Sequence, residues 1–244
     1  MRLTTSAFRP HRHVSYGIGI TLAGVQMFRY RGEHRYALPG QLHVLHPDEV
    51  HDGAAATEAG FAYRILYVDP ELVSEALGGG ALPFVAEPVQ RVPPPLRELL
   101  ADFEEPLGEI ARADAAATIA DALLALAGRR PRVAIDTRAV ALAREYLAAH
   151  AGERTPAATL ERVTGLDRFT LARQFRAAYG TSPDRYRTQR RLALARAAIE
   201  RGQPLARVAA EAGFADQSHM TRQFRRTYGV TPARWAALIG ARSG

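Results

Sequence analysis

The rhythm of apolar positions along the chain changes near residue 69. Before it, short runs rich in β-branched and aromatic residues, HVSYGIGITL (13–22), VQMFRY (25–30), QLHVLH (41–46) and FAYRILYV (61–68), are separated by turn-forming stretches such as LPGQ and HPDE. Short runs of this kind predict strands of a small barrel or sandwich. Asp69 and Pro70 then offer an N-cap and a first-turn proline for a helix that runs to the glycines at 78–80. Residues 92–105 and 106–128 read as two more helices. The second places Leu107, Ile110, Ala117, Ile119, Ala120, Leu123, Leu124 and Leu126 mostly three and four residues apart, which predicts an amphipathic stripe. Such a stripe either packs on its own chain or forms the seam of a homodimer, the expected assembly. Gly, Pro and three Arg in GRRPRVAID mark a linker at 129–136. Beyond it seven segments read as helices, over 136–150, 155–163, 167–180, 182–202, 204–213, 216–229 and 231–240. Most of them open on Ser, Thr, Asp or Pro, and most stop at Gly. The expected layout is therefore α+β in two domains, 1–128 and 137–244.

Charge sharpens that division. The net value is +7, but residues 1–130 hold 12 Arg against 16 Asp plus Glu, a net −4, whereas residues 131–244 hold 20 Arg against 9 acids, a net +11. A segregated positive field suits a polyanion, because each neutralised phosphate releases condensed counterions. All 32 basic residues are Arg; beside the abundant Ala this reflects a coding bias, so the choice of Arg over Lys carries no separate message. With no cysteine there is no disulfide, thiolate metal site or cysteine nucleophile. No run approaches the ~18–20 apolar residues of a membrane span, and the first residues lack a secretory signal, so a cytoplasmic protein is expected. The sequence holds no P-loop, no GxSxG and no carboxylate pair placed for acid–base work, which argues against an enzyme.

One phrase occurs twice. RQFRAAYGTSP at 173–183 returns 49 positions later as RQFRRTYGVTP at 222–232. Extended backwards, each copy becomes a helix, a glycine turn at Gly165 or Gly213, and a second helix. Leu166, Leu171 and Phe175 match Phe214, Met220 and Phe224 as buried positions. Arg168, Thr170, Arg173 and Arg176 face outward in one copy, and Gln217, Ser218, His219, Arg222, Arg225 and Arg226 in the other. That is a helix-turn-helix layout, whose second helix presents polar groups to base edges and Arg to phosphates. Gly165 precedes Arg173 by eight residues and Gly213 precedes Arg222 by nine, so Ala215 reads as one extra turn residue. The helix between the copies, about 20 residues and ~30 Å long, is close to the ~34 Å between successive major grooves. Two copies would let one chain read two consecutive grooves of a DNA duplex.

Residues 137–239 resemble the DNA-binding domain of the AraC/XylS family of bacterial transcription regulators. The resemblance is carried by GLDRFTLARQFRAAYGTSPDRY, by Arg191-Leu192 with Ala195, and by VAAEAGFADQSHMTRQFRRTYGVTPARW. It implies base contacts at Arg168, Phe169, Ala172 and Arg173 in the first motif, and at Gln217, Ser218, His219 and Arg222 in the second. Glu161 departs from the family's usual Ala at that position; its carboxylate must reach solvent or an Arg. The first half is similar to the cupin-like sensor domain of such regulators through PGQLHVLHPDEVHDG, implying a β-barrel with trailing helices and a small-molecule effector. His11, His13, Tyr16, His46, His51, Arg64 and Tyr67 are the candidate effector-binding residues, as polar groups on or beside strands. Cupin metal sites use two His one residue apart, a Glu a few positions later and a further His. His11, His13 and His51 match three of these, but no acid lies between His13 and Glu33, so no metal and no cofactor are expected. The alternative, a metal-dependent cupin enzyme fused to a DNA-binding domain, needs that missing ligand.

Overall fold

The computed structural model describes residues 7–79, 81–101, 107–129 and 134–240. Its contacts divide the chain into two compact units, residues 1–107 with 115–132, and residues 108–114 with 133–244. A short piece of the first half, 108–114, groups with the second unit. Residues 130–133 of the expected linker lie outside the described residues.

The first unit contains β1 (Phe8–His11), β2 (Tyr16–Gly24), β3 (Gln26–Tyr30), β4 (Glu33–Ala37), β5 (Gln41–Leu45), β6 (His51–Ala55), β7 (Phe61–Val68) and β8 (Val89–Arg91). They hydrogen-bond as two antiparallel four-stranded sheets, ordered β1-β6-β3-β4 and β7-β2-β5-β8. The described pairings form these two sheets, and closure into the expected barrel is not among them. Four strands went unpredicted because they lack the apolar signal. For β4, EHRYA, the cause is local: Tyr30 pairs with Glu33 across Arg31 and Gly32, both at positive φ, 52° and 82°. This is the conformation of a tight hairpin that usually calls for Asn-Gly. Arg31 tolerates it because its side chain is tied down. Its Nε donates to Glu49 Oε2 at 2.9 Å, its Nη1 donates to the carbonyls of Val85 and Ala86, and its guanidinium lies over the rings of Tyr30 and Phe84.

Three helices follow or interrupt the strands: α1 (Pro70–Ala76), α2 (Pro94–Ala101) and α3 (Glu109–Leu126). Asp69 caps α1 by accepting from Glu71 N, as predicted. The stripe expected on α3 is not one-sided. Every residue from Ala113 to Ala120 is buried, as are Ile110, Leu123 and Leu124, whereas Arg112 and Ala125 are exposed, so burial along the middle of the helix is not confined to one stripe. Alanine makes this possible, since its small side chain is accepted on any helix face.

The second unit consists of seven helices among the described residues, preceded by the first turns of α3. They are α4 (Thr137–Ala149), α5 (Ala157–Thr164), α6 (Arg168–Tyr179), α7 (Pro183–Glu200), α8 (Leu205–Glu211), α9 (Gln217–Tyr228) and α10 (Pro232–Gly240), matching the seven predicted. Asp136, Asp167, Ser182 and Asp216 cap α4, α6, α7 and α9 through their side chains. One core gathers Val140, Ala143 and Leu147 of α4, Leu160 of α5, Leu171 and Phe175 of α6, and Ile110. A second gathers Leu192, Ala195, Ala198 and Ile199 of α7 with Val208, Ala209, Phe214, Met220 and Phe224. Helix α7 is the shared wall, and Arg191 fastens it to the α4–α5 loop by donating to the carbonyls of Ala151 and Glu153.

Candidate nucleic-acid interface and effector site

Each repeat folds as a helix, a left-handed glycine and a second helix, but the two glycines serve different needs. Gly165 (φ 72°) needs only the backbone freedom, since a Cβ there would meet nothing within 4 Å. Gly213 (φ 80°) also lies against Gly152, whose carbonyl oxygen would stand 2.3 Å from an added Cβ. The N-cap of α6, Asp167, lies two residues after its glycine, and the N-cap of α9, Asp216, three after its own. Ala215 is therefore the inserted residue, as the sequence predicts, and Arg168 and Gln217 are equivalent first residues of the two recognition helices.

The second recognition helix separates a buried face from an exposed one. Met220 and Phe224 are buried, whereas Gln217, Ser218, Arg222, Arg225 and Arg226 are exposed and His219 is half-buried. Burial lowers the His219 pKa, so its imidazole is neutral near pH 7 and offers a hydrogen bond rather than a charge. The exposed groups occupy one face of an amphipathic helix, with bidentate donors and acceptors near its N-terminus, where helix-turn-helix proteins meet base edges.

The first recognition helix differs. Phe169 and Ala172, expected at base contacts, are 6% and 1% exposed. Both are apolar and widen the buried face of α6 beyond Leu171 and Phe175, so they are corrected to packing positions. Gln174 is also buried and accepts from Asp136 N at 2.7 Å, joining α6 to the start of α4. Arg173 and Arg176 are half-buried, and Arg176 Nη2 donates to the carbonyl of Asp114 at 3.4 Å. Arg168 remains outward but is held: its Nε donates to Glu161 Oε1 at 2.8 Å, and its backbone N donates to the same oxygen at 3.1 Å. Glu161 has thus found the Arg partner that its departure from pattern required.

In the sheet unit, the candidate effector residues fall into three groups. His11, His13 and His51 come together, with ring centroids 4.4 Å apart for His11–His51 and 4.8 Å for His13–His51, and Tyr67 lies 4.9 Å from His13. The Nδ1 atoms of the three imidazoles face the carbonyls of Arg9, Ser15 and Glu49; donation there turns the Nε2 lone pairs outward from the backbone. His51 also lines an open pocket of about 430 Å³ with Arg29, Arg31, Glu49 and Asp52. Tyr16 and His46 belong to the core instead. Tyr16 Oη donates to the Pro83 carbonyl, and His46 Nε2 accepts from Val85 N while its Nδ1 meets Tyr30 Oη. Burial pushes the His46 pKa down to about 4, fitting a neutral structural bridge. Arg64 is apart from both, donating to the Leu100 carbonyl at the end of α2.

Sequence reasoning passed over a fourth group. His43 pairs with Gly19 across β2 and β5, and its ring occupies the space a side chain at 19 would fill. It is fully enclosed, and burial pushes its pKa down to about 4. Both its ring nitrogens, together with Thr21 Oγ1, Gln26 Oε1 and His13 Nε2, are buried without a hydrogen-bond partner among the described residues. Gly17 lies beside the His13 ring, which an added Cβ would approach to 3.2 Å. Glycines alternating along β2, Gly19 opposite His43 and Gly17 beside His13, were the available signal.

Comparison with known proteins converges on this division. Residues 2–127 match the family model of the AraC-like ligand binding domain, and residues 160–237 match that of a helix-turn-helix domain. The uncharacterized HTH-type transcriptional regulator YbfI of Bacillus subtilis is 25% identical over 226 residues, 87% of this chain and 81% of its own. Among solved structures, a probable AraC family transcriptional regulator from Rhodopseudomonas palustris is 23% identical with a TM-score of 0.40, over 42% of this chain and 98% of that one. The DNA-binding domain of AdpA, solved in complex with a target DNA, is 27% identical with a TM-score of 0.40, over 42% of this chain and 94% of that one. A ligand-binding sheet unit ahead of a doubled helix-turn-helix makes this chain a member of the AraC/XylS family of transcriptional regulators.

Proposed function

We propose that the protein is a sequence-specific regulator whose two recognition helices enter successive major grooves, and whose DNA binding responds to a small molecule in the sheet unit. The observation that carries the DNA reading is the exposed face of α9, where Gln217, Ser218, Arg222, Arg225 and Arg226 stand together on a half of the chain with net charge +11. The first motif contributes Arg168, Arg173 and Arg176, without Phe169 and Ala172. Helix α7, 18 residues and so about 27 Å long, supports the spacing of two grooves.

The effector reading is supported by the buried polar atoms of His13, Thr21, Gln26 and His43, which lack a partner among the described residues and which a bound small molecule or an ordered water would satisfy. His11, His51 and Tyr67 border that region through His13. Effector binding then shifts DNA affinity by as much as it discriminates between the DNA-competent and other states. No described helix is long and apolar enough to cross a membrane, and a cytoplasmic site of action belongs to this reading. A homodimer, the assembly expected from the 107–126 stripe, belongs to the same reading. The family is one of regulators, and no enzymatic role is proposed.

The test is binding of the full chain to duplexes selected from a random pool, titrated with salt. A specific regulator prefers the selected duplexes, and Arg222→Ala lowers that preference; equal binding to every duplex would end the proposal.

A further inference from the structure

Both recognition helices begin with a capped first turn, yet only the first has a second carboxylate at its start. Asp167 accepts from Phe169 N and Thr170 N, and Glu161, one helix earlier, accepts from Arg168 N, Nε and Nη2 at 3.1, 2.8 and 3.5 Å. In the second motif Asp216 accepts from His219 N, and the position matching Glu161 is Ala209, buried and unable to hold Gln217. Arg168 is 44% exposed and Glu161 26%, so the pair sits at the surface where the first helix would meet DNA.

A carboxylate there has two opposed effects. It places a negative charge beside the phosphates, which weakens binding to any duplex. It also fixes the guanidinium of a long, flexible side chain in one orientation, which favours a base edge that needs a directed donor pair. We propose that Glu161 is a positioning residue: by holding Arg168 at the start of α6 it lowers general DNA affinity and raises discrimination at the base that Arg168 meets. This rests on the reading that α6 faces DNA. The first motif then gains its selectivity from one buttressed arginine, whereas the second relies on a broad polar face.

The experiment measures full-length wild type, Glu161→Gln, Glu161→Ala, Arg168→Ala and the Glu161→Gln/Arg168→Ala double variant against a duplex selected by the wild type and against random-sequence duplex, across a salt series. Glu161→Gln keeps an acceptor for Arg168 N, so the helix start stays capped. For Glu161→Gln, random-duplex affinity should rise about threefold through loss of one repelling charge. The ratio of selected to random affinity should fall about fivefold, the low end of one bidentate base contact, with the loss confined to one or two base pairs. Glu161→Ala should fall further, and in the Arg168→Ala background Glu161→Gln should leave the ratio unchanged. The proposal is overturned if both affinities fall in step with a lower Tm, which marks a purely structural cap, or if the ratio holds. A wild type without sequence preference overturns the DNA reading itself, a distinct result because it precedes any variant.

Discussion

The two helix-turn-helix motifs share their inner face and differ on their outer one. Phe175 and Phe224 are equally inaccessible, Leu171 and Met220 nearly so, and both helices end on a left-handed glycine, Gly180 and Gly229. Outside, Ser218 is open where Phe169 is buried, and Arg222 and Arg225 are exposed where Arg173 and Arg176 are half-buried. The duplication therefore preserved what folding demands of the pair and let the surfaces diverge. Repeats detected by their core residues do not imply equal shares in recognition.

The largest test of that shared interior is truncation of the matched phenylalanines. Phe175→Ala and Phe224→Ala should each cost about 3–5 kcal/mol, read by urea unfolding, and a small loss at only one of them would mean the cores are not equivalent. The turns come next: Gly165→Ala should cost about 1–2 kcal/mol for its left-handed backbone, and Gly213→Ala distinctly more, because the new Cβ also strikes the Gly152 carbonyl. Equal costs would remove the difference between the two turns. On the outer face, Arg222→Ala should lower the preference for a selected duplex by about 1–3 kcal/mol, and more than Arg173→Ala does, measured by competition binding.

A smaller effect concerns Asp114, whose carboxylate accepts from Asp184 N at the start of α7. Burial, then the neighbouring Asp184, raises its pKa from 3.8 to about 7. The folded state thus binds the extra proton between those values, and this group's contribution to stability declines as pH rises through the window. Asp114→Asn should gain on the order of 1 kcal/mol relative to wild type at pH 8 and little at pH 4; a gain independent of pH would count against that assignment. The smallest expected effect is at Arg225 or Arg226, where substitution by Ala should reduce the salt slope by about one while leaving sequence preference intact.

Much of this was legible in the chain itself. Seven helices of the second unit announced themselves through Asp, Ser and Pro starts and Gly ends, and the extra Ala215 was visible as a one-residue change in spacing. Burial on α6 was not, because Phe169 and Ala172 could be assigned to either face once the apolar positions outnumber a narrow stripe. Helix α3 failed for a related reason: in an alanine-rich segment, spacing cannot distinguish one covered face from all of them. In the sheets, β4 and β6 carry so many polar residues and glycines that only their partners make them strands. His43 was legible as a residue but not as a fully enclosed one, since its burial depends on Gly19 across the sheet.

Glu109 and Asp114 lie on the first turns of α3, far in sequence from the helices they serve. Glu109 accepts from Ala157 N at the start of α5, whose own cap position, Pro156, supplies no side-chain bond, and Asp114 does the same for α7. A gene fragment opened at the apparent linker would therefore leave the start of α5 without a side-chain acceptor, the start of α7 with Ser182 alone, and a core missing Ile110. The recognition module borrows its fastenings from upstream, and cutting between the two halves severs something that belongs to the second.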